Sequence, residues 1–125
     1  VVCDDKYAYV TVHDGTTCNG DINRLLVVGI EFLPQTAQLA ALDMKRPMGL
    51  AVNNTHLFLC DDGLKVFDKT NPVALKQIAH LPGIDSYDVI LLDNTRLLLI
   101  GKDGFFQYDV TNPAQPVEIS RILVQ

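Results

Sequence analysis

The residues of this 125-residue chain that can do chemistry lie between its apolar runs. The segment His13 to Asn23 carries Asp14, Asn19, Asp21 and Asn23, hard oxygen donors of the kind calcium takes. It lacks the alternating spacing and closing bidentate Glu of an EF-hand, so a polar loop of turn formers is the competing reading. Asp61, Asp62 and Asp103, with Lys102, form a second set. They read either as an acidic patch for a cation or basic partner, or as turn residues beside Gly63 and Gly104. His13, His56 and His80 show no metal spacing, and Cys3, Cys18 and Cys60 match no zinc pattern. Nucleophilic catalysis needs a nucleophile, a base and an orienting group, and Cys60 beside Asp61 with a distant His80 is composition only. No catalytic residue is assigned, and calcium is the one cofactor these residues suggest.

Charge narrows the partners. Ten basic against 15 acidic residues leave a net charge of −5. That balance argues against nucleic acid, whose binding needs clustered Lys and Arg. No basic run and no apolar stretch of membrane-spanning length is present. The chain opens on Val1 rather than Met, as expected of a processed product or a piece of something longer.

The elements that must carry these residues follow from a repeat. Gly63-Leu-Lys-Val-Phe-Asp-Lys-Thr-Asn-Pro72 returns as Gly104-Phe-Phe-Gln-Tyr-Asp-Val-Thr-Asn-Pro113. Each copy alternates outward and inward side chains, the period of a strand. Each closes on Asp68-x-Thr70-Asn71-Pro72 or Asp109-x-Thr111-Asn112-Pro113. The Asp is expected to accept a backbone N–H two residues on, and Pro pushes the preceding Asn out of the helical region. Aligned on this motif, the chain divides into three units at about 1–46, 47–86 and 87–125, each of four strands, a to d, joined by hairpins.

In the middle unit the strands are expected at Met48–Asn53, His56–Cys60, Gly63–Asp68 and Ala74–Leu81. In the last they are expected at Tyr87–Leu92, Arg96–Ile100, Gly104–Asp109 and Val117–Leu123. The first unit is degenerate: Val1–Cys3, Tyr7–Val12, Leu25–Ile30 and Ala37–Leu42. Its b–c loop is expanded and its c–d turn has Gly29 in place of Asp68. Gln35 to Leu42 holds good helix formers, but the repeat demands a strand. Val89 to Leu92 reads as a strand covered on both faces. Tandem units of four hairpin-joined strands are the pattern of β-propeller blades, and three blades fall short of a closed ring. Either further blades lie elsewhere or chains self-associate to complete it.

The run from Gly63 to Pro72, its copy from Gly104 to Pro116, and Tyr7-Ala-Tyr-Val10 and Tyr87-Asp-Val89 resemble the LVIVD repeat of bacterial envelope and secreted β-propellers. The Thr16-Thr-Cys18 loop and Phe58-Leu-Cys-Asp61 further resemble a subset associated with Bacteroidetes surface proteins. The resemblance spans all three units and implies an exported propeller, often lipid-anchored, found at the bacterial surface or in the periplasm. It implies no activity. Together these readings point to a non-enzymatic module that presents loops to a protein or glycan partner. The alternative is a propeller enzyme acting on glycans or small molecules, its site completed outside this chain. An exported chain meets an oxidising compartment. Cys18 and Cys60 lie in equivalent b–c regions and are therefore expected to pair, leaving Cys3 free; three reduced or buried thiols are the other reading.

Overall fold

The computed structural model describes residues 1–14 and 22–124. It is all-β, with three four-stranded antiparallel sheets and, among the described residues, one 3-10 turn at Pro72–Ala74. The first sheet comprises β1 (Val2–Cys3), β2 (Tyr7–Val12), β3 (Arg24–Gly29) and β4 (Ala37–Asp43). The second comprises β5 (Leu50–Val52), β6 (His56–Cys60), β7 (Leu64–Asp68) and β8 (Lys76–Leu81). The third comprises β9 (Ser86–Leu91), β10 (Arg96–Gly101), β11 (Gly104–Asp109) and β12 (Val117–Leu123). In each, the strands pair in chain order. The segment around Ala37 is a strand despite its helix-forming composition. Pairing with β3 puts Ala40 and Leu42 on the same buried side as Val27 and Leu25, and that burial outweighs local propensity.

The repeat extends to irregularities that no side chain announces. All three c–d pairings slip by one residue at the same place, between Val27 and Val28, Val66 and Phe67, and Gln107 and Tyr108. Such a bulge bends and further twists each sheet alike. The a–b and c–d corners are also tied by one recurring backbone bond: Ile30 N–H to Lys6 O, Lys69 N–H to Thr55 O, and Val110 N–H to Thr95 O. The first sheet keeps this bond although its c–d connection lost the Asp-x-Thr-Asn-Pro chemistry and runs through a cis Leu33–Pro34 peptide.

Two apolar cores lie between the sheets. Tyr9, Leu25 and Val27 of the first meet Leu50, Leu57, Leu59 and Phe67 of the second. The opposite side of the second, with Phe58, Cys60, Leu64 and Val66, meets Val89, Leu97, Leu99, Phe106 and Tyr108 of the third. The strand period of two sends alternate residues of β6 to different cores. Leading strands lie side by side, and Gly49 N–H donates to Tyr87 O at 3.0 Å. A Cβ on Gly49 would stand 2.7 Å from the Asp88 Cα, so only glycine allows this approach.

The first strand of the third sheet differs from expectation. Val89 is buried, but Ile90 is 45% and Leu92 51% exposed, so this strand is not covered on both faces. Two-sided cover belongs to the middle sheet, because only it has a neighbour on each side. Cys3 is exposed and free.

Candidate functional site

The b–c turns and the links between sheets converge on one edge. The β6–β7 turn is Asp61-Asp62-Gly63, with Asp62 at φ 53° and Gly63 at φ 102°. Asp tolerates the left-handed region better than most residues, and Gly63 has no room for a Cβ, which would stand 1.9 Å from the Leu81 carbonyl oxygen. Asp61 is not part of a surface patch. Its side chain is fully buried and accepts Lys45 N–H (3.2 Å), Arg46 N–H (2.7 Å) and the Lys65 ammonium (2.7 Å). One carboxylate thereby holds the turn to the link from the first sheet. Asp62 stays accessible and takes the Lys45 ammonium at 2.9 Å. Each holds the other charged: hydrogen bonding and charge lower the Asp62 carboxyl and raise the Lys45 ammonium. His80 Nε2 lies 2.7 Å from Asp62 O.

Beside this turn is an open cleft of about 340 Å³, with Lys45, Arg46, Asp62, Ile84, Asp85 and Tyr87 in its walls. Tyr87 is 44% exposed there. The ends of the first unit's long loop reach the same edge. Asp14 N–H donates to Asn23 Oδ1 (3.1 Å), and the Arg46 guanidinium stands 3.5 Å from the Asp14 carboxylate. Of the four oxygen donors weighed for calcium, the structure therefore brings Asp14 and Asn23 together; Asn19 and Asp21 lie outside the described residues. Among the described residues no group of three His, Cys, Asp or Glu side chains is placed to hold a metal ion.

Cys60, the nucleophile weighed from the sequence, is fully buried and free. Its expected partner Cys18 lies outside the described residues. Burial pushes the Cys60 thiol up to about 12, so at neutral pH it is a packed thiol and not a thiolate. No family model, curated protein or solved structure matches this chain.

The opposite edge is regular. Thr70 N–H and Oγ1 donate to Asp68 Oδ1 (2.8 and 2.6 Å), and Thr111 N–H donates to Asp109 Oδ1 (2.8 Å). The a–b turns repeat this, with Thr95 N–H on Asp93 Oδ1 (2.8 Å) and Thr55 N–H on Asn53 Oδ1 (3.0 Å). Asn112 Oδ1 accepts Ala114 N–H, whereas Asn71 makes no side-chain cap to the Pro72–Ala74 turn. These side chains build corners and leave little chemistry over.

Sequence reasoning missed two charged pairs, one within the second sheet and one between the second sheet and the first. One is Asp61 with Lys65. The other is Lys69, whose ammonium reaches Asp4 at 3.0 Å while Tyr9 OH donates to the same carboxylate oxygen at 3.3 Å. Burial alone raises the Asp4 carboxyl, but hydrogen bonds from Lys6 and Tyr7 N–H and from Lys69 outweigh it and hold it low. A signal was present. Lys65 occupies the strand position that Phe106 fills in the next unit, and lysine is almost never buried without a carboxylate.

Proposed function

We propose that the three sheets are successive blades of a β-propeller of the LVIVD-repeat kind, carried to the cell envelope or beyond it, and that its work is binding a protein or glycan. Support for the propeller reading is that β5 neighbours both β1 and β9 while contacts between the fourth strands are sparse, so the sheets fan out from their first strands. The observation that carries the binding reading is the contrast between the two edges. One repeats the same corner in sheet after sheet. The other gathers unlike residues around a cleft, two of whose wall residues, Lys45 and Arg46, are held through their backbone N–H groups by the buried Asp61 carboxylate. A rigid scaffold with its variation confined to one loop edge is how repeat folds build recognition surfaces. Exposed Tyr87 shares the cleft wall with Arg46 and Asp85, and an aromatic face in a cleft that also holds both charges suits a sugar ring or a peptide.

The test probes the purified chain against arrayed oligosaccharides and arrayed peptides, then repeats it with Arg46→Ala/Tyr87→Ala. Retention on one array is expected, weakened by about 10-fold or more in the double variant with unchanged thermal unfolding. Retention on neither array, or binding indifferent to the double variant, overturns the reading. Release of reducing sugar from an arrayed oligosaccharide overturns it in favour of the enzyme alternative.

A further inference from the structure

The two outer sheets present faces that the middle sheet keeps covered, and strand register tells which positions correspond. On the second sheet, Ala51, Phe58, Cys60, Leu64 and Val66 are buried against the third. The corresponding residues of the third sheet are Ile90, Leu98, Ile100, Phe105 and Gln107, and they have no neighbouring sheet. Ile90 is 45% exposed, Phe105 40%, and Ile122, beside it on β12, 68%. The first sheet shows the converse half. Ala8, Val10, Leu26 and Val28 stand where the second sheet has Leu57, Leu59, Lys65 and Phe67, and all four are only partly buried.

Volume picks the occupant. Relative to the sheet before it, the open face of the third sheet is mostly enlarged: Ile90 for Ala51, Ile100 for Cys60, Phe105 for Leu64. Relative to the sheet after it, the open face of the first is trimmed: Ala8 for Leu57, Val10 for Leu59, Val28 for Phe67. Leu26 for Lys65 also removes the one charge from that face. Large-on-small compensation across a packed interface preserves total volume, the condition close packing imposes. We infer that the open face of the third sheet is a docking surface for the first sheet of a second copy of this chain. The contact is head-to-tail and continues the stacking already present twice within one molecule. It does not depend on what the cleft binds.

Sedimentation of the chain at micromolar concentration tests this. Phe105→Lys/Ile122→Lys blocks the third-sheet face, and Val10→Lys blocks the first-sheet face at the position where the second sheet buries Leu59; Ala8→Lys, at the position of Leu57, is the alternative block. Circular dichroism and thermal unfolding establish that each variant is folded. The wild-type chain is expected to self-associate, and each variant alone to associate about 100-fold more weakly. Mixing the third-sheet variant with a first-sheet variant leaves one intact interface, so the mixture is expected to form a heterodimer that neither forms alone. A wild-type monomer, a mixture that stays monomeric, or a first-sheet variant that still pairs through two third-sheet faces each overturns the proposal.

Discussion

The second and third sheets have the same strand order, the same bulge and the same corner bonds, yet they differ in burial. In the second, Phe58, Leu59, Cys60, Leu64 and Val66 are all inaccessible. In the third, Leu97 and Leu99 are inaccessible while Leu98 and Ile100, which alternate with them, are not. The strands are equally apolar, so the difference comes from position in the stack and not from composition. In a stacked array each unit is stabilised by its neighbours as well as by its own pairing. One apolar substitution should therefore have different consequences in the two sheets.

The largest expected effect tests that directly. Phe58→Ala removes a fully buried ring from the second core and should cost about 3–5 kcal/mol in chemical denaturation. Leu98→Ala, at the corresponding position, should cost about 1 kcal/mol while the face is open. Equal losses would mean that the third sheet is not an open end.

Next comes the charge that only the second sheet buries. Asp61→Ala leaves the Lys65 ammonium, 12% exposed, without its carboxylate, and frees two backbone N–H groups. A loss of about 3 kcal/mol is expected. Lys102→Ala, on the exposed b–c turn of the third sheet, should stay within about 0.5 kcal/mol. A neutral Asp61→Ala would contradict the role given to that carboxylate.

Gly49→Ala sharpens the comparison at the first strands. Its Cβ meets Asp88 backbone, so the second and third sheets must part slightly, at about 2 kcal/mol. Asp88→Ala, the residue in register with Gly49 but at the open end, should be within about 0.5 kcal/mol. Urea melts of both variants decide it, and a harmless Gly49→Ala would mean that the sheets are less closely apposed than described.

The smallest effect is acid sensitivity. Thr95 N–H and Oγ1 hold the Asp93 carboxyl down from 3.8 to about 2, whereas the second sheet has Asn53 at this turn, which does not titrate. A carboxyl lowered by folding stabilises fully above its unfolded value, and that contribution fades as pH falls through the folded one. The third sheet's a–b turn should therefore loosen between about pH 4 and 2 while the second's does not. Amide shifts followed by NMR should show Thr95 titrating with a midpoint near 2 and Thr55 flat, and Asp93→Asn should abolish the Thr95 titration. Asp68 and Asp109 are lowered by their Thr partners in the same direction.

What the sequence by itself determined is everything local. The alternation in Gly63–Asp68 and Gly104–Asp109 dictates strands, because side chains on a strand must leave on opposite faces. The Asp-x-Thr pairs dictate corners, because a carboxylate two residues before an N–H reaches it without help from the rest of the chain. The tertiary structure decided what depends on a neighbour. Whether Ile90 is core or surface, why Asp61 is buried while Asp62 is not, and that Lys69 reaches back to Asp4 all depend on how one sheet stacks on another. Stacking brings together residues far apart in sequence, each already consistent with its own strand. The candidate cleft belongs to the second kind: its walls come from separate links, and only the apposition of the sheets brings Lys45, Asp62 and Tyr87 to one place.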